Sequence, residues 1–303
     1  RLWWTQFQLS KLCKQSQTRL LFSPIPETPL AIGQPRRYRA VVTCHDLIPL
    51  RFPAMFGSIK AYYRYYVPQV LGRAERVICN SEATAGDIAE FYGLPASKLV
   101  PIPLAYDASH FRPVALKPEL PDHDDPTALP YFLMVGRQVP YKNMAPAIAA
   151  LSALPNHRLL IAGPTDYRYT PELAAMAEEL GVRSRLKFLS YVPYHQLPAL
   201  ISHAVALVFP SLWEGFGIPV LEAMACGAPV ITSKVASLPE VAGDAAYYIN
   251  DPTDFKEIAG AMRAVAHDSQ IRQQLSKAGL QRARQFSWQK TGQATVEVLR
   301  QYL

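Results

Sequence analysis

The stretch that most constrains this chain is Phe209 to Ser233, FPSLWEGFGIPVLEAMACGAPVITS. The apolar run Val205 to Phe209 predicts a buried strand, ended by Pro210-Ser211. Glu214-Gly215-Phe216-Gly217 predicts a turn, and Ile218 to Cys226 a short helix closed by Gly227. Pro229 to Thr232 predicts the next strand. Two carboxylates, Glu214 and Glu222, therefore bracket a glycine turn that feeds a helix N-terminus. Unpaired backbone N–H groups and the positive end of the helix dipole make such a turn an anion site. Its glycines let a ligand approach the backbone closely. The N–H groups of Phe216, Gly217 and Ile218 are the expected donors. Glu222 can accept two hydrogen bonds from a vicinal diol such as a ribose, and Glu214, on the opposite side of the anion, can meet a sugar hydroxyl. Taken alone, the same letters also fit a plain strand, loop and helix with two surface glutamates.

The spacing narrows this choice. Seven residues separate Glu214 from Glu222 in EGFGIPVLEAMACGAPVI. The segment resembles the E-x7-E motif of retaining glycosyltransferases with the GT-B fold, family four in particular, and the likeness continues in order along nearly all of the chain. It implies an α/β fold of two Rossmann-like, doubly wound domains facing a cleft. It also implies a nucleotide-diphosphate sugar as donor, retained anomeric configuration, no cofactor and no required metal.

The rest of the chain is read against this expectation. Strands are predicted at 19–22, 39–44, 76–79 and 98–103, with helices at 1–17, 58–73 and 83–92. A second series of strands is predicted at 131–135, 158–162, 186–189, 205–209, 230–232 and 246–249. Helices are predicted between these strands, including 171–180 and a segment at 195–202. Two helices are predicted over 253–285 and a last one over 289–303. Alternating strands and helices mean parallel, doubly wound sheets. The expected division is an acceptor-side domain at 1–113, a proline-rich linker at 114–130, a nucleotide-sugar domain at 131–288, and a helix at 289–303 that crosses back to the first domain. Family members open with a βα unit carrying a glycine-rich turn. This chain opens without one, so its N-terminal domain is expected to be incomplete.

The resemblance also assigns roles. Gly136-Arg137 followed by Lys142 matches the pattern that holds the donor diphosphate, although alone it would read as a solvated loop. A leaving nucleoside diphosphate gains negative charge as the glycosidic bond breaks, and fixed cations stabilise that charge most in the transition state. Arg supplies a planar fork and Lys a point charge. Val192, after the 186–189 strand, matches the segment whose backbone meets the base. Thr43-Cys44-His45-Asp46-Leu47-Ile48-Pro49 resembles the HDL-x-P segment of mannosyltransferase-like members. It places His45 near the donor sugar and Asp46 on the acceptor side. Ser81 either faces the acceptor or caps a helix. The expected catalytic set is His45, Arg137, Lys142 and Glu214. The expected donor-binding set adds Gly136, Val192, Gly215, Phe216, Gly217, Ile218 and Glu222.

Composition excludes several classes. No window of 18 apolar residues is present. Arg1-Leu2-Trp3-Trp4 lacks the apolar core of a leader. Four cysteines without C-x-x-C spacing suggest a reducing compartment, hence a cytoplasmic location. No G-x-G-x-x-G occurs, which counts against a dinucleotide oxidoreductase, and no P-loop lysine motif occurs, which counts against an NTPase. Asp122-His123-Asp124-Asp125 superficially matches a D-x-D metal motif, but its proline-rich setting argues against that role. The net charge of +7 lies wholly in residues 1–113, which hold 14 Lys and Arg against 7 Asp and Glu. That excess fits either simple solubility or a polyanionic neighbour such as the inner membrane face. Nucleic acid is disfavoured, because no basic run is interleaved with aromatics. The favoured activity is hexose transfer from GDP-mannose to a sugar, lipid-linked or small-molecule acceptor. A UDP-glucose-type transferase and a nucleotide-sugar binder without turnover are the alternatives.

Overall fold

The computed structural model describes residues 2–30, 38–118 and 129–303. The Asp122–Asp125 segment and most of the expected linker lie outside these residues. The chain forms two compact units, Arg1–Leu104 with Trp288–Leu303, and Ala105–Ser287.

The first unit is built on a four-stranded parallel sheet of β1 (Leu20–Ser23), β2 (Arg39–Cys44), β3 (Arg76–Cys79) and β4 (Leu99–Pro101), in that order. Its strands are apolar on both faces, as a covered parallel sheet requires. On one face Val42, Cys44, Val77 and Cys79 pack with α1 (Val67–Arg73) and α2 (Glu82–Tyr92) through Val70, Leu71 and Ile88. On the other, Val41 and Ile78 pack with Ile102 and with Val298 of the helix Trp288–Arg300.

The helix expected over 58–73 is not one continuous α-helix. Ile59–Ala61 is followed by a wider π turn at Tyr62–Tyr66, and only then by α1. Pro68 explains the change. It has no N–H to give to the carbonyl four residues back, and its ring crowds that carbonyl. The N-terminal helix likewise carries a π segment, Trp4–Leu9, before Ser10–Gln15.

The second unit holds six parallel strands: β5 (Tyr131–Val135), β6 (Arg158–Ala162), β7 (Leu186–Leu189), β8 (Leu207–Phe209), β9 (Val230–Ser233) and β10 (Tyr247–Ile249). Their spatial order is β10-β9-β8-β5-β6-β7. The chain starts at the centre, builds outward to β7, returns to the middle at β8, and builds outward on the other side. Between β5 and β8, where Leu133 pairs with Leu207, the winding reverses. Loops diverge at such a switch point and leave a crevice at the strand C-termini. Phe132, Met134, Leu159, Ile161 and Val208 pack on one face with Ile148 of α3 (Met144–Ala150) and Met262 of α5 (Phe255–His267). The helix at the crevice is α4 (Ile218–Ala225), and α6 (Ser269–Ala283) follows α5.

Candidate nucleotide-sugar site

Two loops meet at the switch point of the second unit. The loop after β5 carries Gly136, Arg137 and Lys142, and the loop after β8 carries Glu214 to Gly217. Lys142 Nζ donates to Glu214 Oε1 at 2.6 Å. Glu214 is 6% exposed. A charge so buried requires a partner, and Lys142 supplies it from 72 residues away. Lys142 also lies 5.0 Å from the centre of the Phe209 ring.

The backbone is arranged for close approach. Gly163, after β6, has φ +146°, and a Cβ there would lie 2.2 Å from the carbonyl oxygen of Gly136. The first two strand-end loops therefore pass one another with no room for a side chain. Gly217, with φ +100°, stands at the N-cap of α4 and turns the chain into the helix. Ser237 Oγ bridges the carbonyl oxygens of Glu214 and Phe216, at 3.0 and 2.9 Å, and so holds the turn from below. Asn143 has φ +57° and gives its side-chain amide to the carbonyls of Pro210 and Pro252, joining three loops at one residue. Phe216 is buried and its ring meets Phe286 edge-on at 6.1 Å. Its backbone faces the turn while its side chain anchors it.

Glu222 lies in the second turn of α4, with its carboxylate half-buried. Burial pushes its carboxyl up to about 7. Arg137 is the most exposed cation of the group. Its guanidinium lies 3.4 Å from Asp166 Oδ2. Asp166 also takes a two-pronged contact from Arg168, with Nε and Nη2 both at 2.9 Å. These hydrogen bonds hold the Asp166 carboxyl down at about 2. Thr170 Oγ1 accepts from the Asp166 N–H at 2.9 Å and donates to buried Gln138 at 2.6 Å, which ties the loop after β6 to the loop after β5.

Gly136, Arg137, Lys142, Glu214, Gly215, Phe216, Gly217, Ile218 and Glu222 thus share the C-terminal edge at or beside the switch point. Val192 follows β7, two strands farther out on the same edge. In the first unit, His45 is exposed and its Nε2 pairs with the carbonyl of Pro24 at 3.0 Å. Asp46 Oδ1 accepts from the Ile48 N–H at 3.0 Å. Ser81 is 2% exposed and caps α2, accepting from the Thr84 N–H at 3.0 Å. Arg51, in the same HDL segment, is fixed by Asp87 and Glu90 of α2. Asp166, Arg168, Gln138 and Ser237 were not anticipated. The only sequence signal for the first two was an Asp and an Arg shortly after a strand-ending Gly-Pro.

Two doubly wound parallel-sheet units, the second with a crevice at its switch point, are the α/β architecture of the GT-B fold. Residues 119–282 match the family model described as glycosyl transferases group 1, and residues 1–110 match that of glycosyltransferase family 4. The chain belongs to the group 1 glycosyl transferases. It is 31% identical over 271 residues to O-antigen chain mannosyltransferase B of Escherichia coli, covering 86% of this chain and 70% of that protein. It is 30% identical to the E. coli serotype-specific mannosyltransferase WbdA over 283 residues, but spans only 33% of that protein's length. Among solved structures, Anabaena Alr3699/HepE in complex with UDP and glucose matches with a TM-score of 0.81 at 21% identity, over 96% of this chain and 80% of that one.

Proposed function

We propose that this chain moves a hexose from a nucleotide-diphosphate sugar to an acceptor hydroxyl, with GDP-mannose as donor, retained anomeric configuration and no required metal. The observation that carries this reading is the Lys142–Glu214 pair at the switch point, flanked by Arg137 and the start of α4. Lys142 and Arg137 offset the charge that grows on the departing diphosphate, the role a metal plays elsewhere. Glu222 takes the ribose diol, and Glu214 a hydroxyl of the transferred sugar while it holds Lys142. The 216–218 backbone faces the diphosphate, and Val192 meets the base. His45 and Asp46 serve the sugar and acceptor side, Ser81 is left to its buried helix cap, and the diphosphate itself takes the acceptor proton.

The mannosyltransferase names of the relatives support mannose as the sugar. The UDP held by Alr3699/HepE keeps a UDP-sugar as the second reading. The acceptor is a glycan or a lipid-linked sugar, and the basic first domain contacts an anionic membrane face. The test is calorimetry with GDP, UDP and ADP without metal, followed by anomeric analysis of the product formed from the donor that binds. Tight binding of GDP and an α-linked product from GDP-α-mannose support the reading. An inverted product overturns the mechanism, and binding without any transfer leaves a nucleotide-sugar binder.

A further inference from the structure

A sizeable cavity lies apart from the crevice at the switch point. It has a volume of about 760 Å³ and lies wholly within the second unit. Pro130, His157, Val205 and Pro229 on its wall immediately precede or lead into β5, β6, β8 and β9. All strands of this sheet are parallel. The cavity is therefore at the N-terminal edge, opposite the edge that carries Lys142 and Glu214.

Its chemistry is one-sided. Along one face of α6, Gln273, Lys277, Leu280 and the capping Arg284 line it, at the three- and four-residue spacing that puts side chains on one stripe, and Arg272 stands beside them in the first turn. His157 and His203 add imidazoles from the opposite wall. None of the described lining residues is acidic, and no ion pair engages Lys277 or Arg284 among the described residues. His203 Nδ1 is taken by the carbonyl of Ala199 at 3.0 Å, which leaves Nε2 for the cavity. Arg272 gives Nη1 to the carbonyls of Val265 and Ala266, which fixes the rest of its guanidinium in place.

His157, 9% exposed, stands at the buried wall of the cavity. Three cations thus face a space whose described lining carries no carboxylate. We infer that this cavity is a second ligand site, built for a phosphate ester held by Arg272, Lys277 and Arg284 beside His157, on the edge of the sheet away from the donor crevice. A soluble phosphorylated metabolite and a lipid phosphate headgroup share this chemistry.

The experiment is nitrogen NMR of the histidine side chains in the whole chain, titrated first with inorganic phosphate and then with equal ionic strength of sodium chloride. Phosphate is expected to move the His157 ring signals saturably, chloride is not, and the Lys277→Ala/Arg284→Ala double variant is expected to weaken the response at least about tenfold. Both residues are exposed, so the variant keeps its fold, and circular dichroism checks this. Glycerol 3-phosphate and phosphatidic acid in phosphatidylcholine vesicles then separate the two sources, and a His157 response to either supports the site. A response to chloride equal to that to phosphate overturns the proposal. So does a His157 signal that no phosphate compound moves, or one that moves unchanged in the double variant. The inference is independent of the donor reading, because its readout and its variants lie at the other edge of the sheet.

Discussion

The two units place polar residues at the same point of their architecture and use them differently. At the C-terminal edge of the first sheet, His45, Asp46 and Ser81 close local structure: a loop carbonyl, a turn and a helix cap. At the same edge of the second sheet, half-buried Lys142 and buried Glu214 come from loops 72 residues apart and meet. Hydrogen bonds of this kind stabilise the loop or helix end that carries them. A paired buried charge at a strand crossover stabilises little, because desolvation offsets the attraction. The difference is one of support: in the first unit the polar residues are held by nearby loops and a helix turn, in the second by one another across the switch point.

The sharpest way to break this comparison is Lys142→Ala. Transfer is expected to fall about a thousandfold or more, as for removal of a group that stabilises transition-state charge. The same change strands Glu214, at a cost of about 3–5 kcal/mol in stability. Lys142→Ala with Glu214→Gln is expected to recover most of that stability and none of the transfer, as read by thermal unfolding beside a donor-consumption assay. If transfer returns with stability, the pair is structural. His45→Ala, by contrast, removes one exposed ring, so its melting temperature should hardly change. Any loss of transfer then reports chemistry.

Gly163→Ala comes next. The added methyl meets the Gly136 carbonyl in a backbone region that disfavours side chains, and unfolding in urea is expected to show a loss above about 3 kcal/mol. Gly93→Ala, at the end of α2 in the first unit, has φ +65° and open space around it. About 1 kcal/mol is expected there.

Glu222 gives a pH test. Its carboxyl is raised to about 7 in the folded chain against an ordinary 4.5. A ribose diol donates to the ionised form, so nucleotide binding is expected to release a proton and to tighten as pH rises from 6 to 8. Calorimetry should find that dependence absent in Glu222→Gln. Ionising this half-buried group also costs folding free energy. The penalty is nil below 4.5, grows between 4.5 and about 7, and is complete above. Glu222→Gln is therefore expected to be more stable at pH 8 by about 1–2 kcal/mol and indistinguishable near pH 4. The smallest effect is Ser81→Ala, about 1 kcal/mol from the lost cap, with nucleotide affinity unchanged.

Much of the fold was legible because the strands are buried on both faces. Such strands read as apolar runs, so Arg39–Cys44, Arg76–Cys79, Tyr131–Val135 and Arg158–Ala162 carry the same bounds in sequence and structure, and the edge strand Leu186–Leu189 does so although Lys187 interrupts it. The π turn at Tyr62–Tyr66 was not legible from apolar spacing, although Pro68 was its signal. The family and the GT-B fold were legible from the E-x7-E segment. The contact between Lys142 and Glu214 was not, because no local pattern encodes which loops a switch point brings together. Asp166 and Arg168 were missed for a related reason. Their value lies in a mutual hydrogen bond beside Arg137, and two residues of opposite charge in a loop look the same whether or not they meet.

The crossover between β5 and β8 has a kinetic consequence. The crevice cannot form until both β5 and β8, more than 70 residues apart in the chain, are in place. Its two walls join only after the excursion through β6 and β7 has folded and returned, a long loop whose closure must precede its reward. Closure of the crevice therefore serves as an assembly clock for the second unit. In a refolding experiment, the contact of Lys142 with Glu214 should lag the appearance of helix and arrive with the pairing of Leu133 and Leu207.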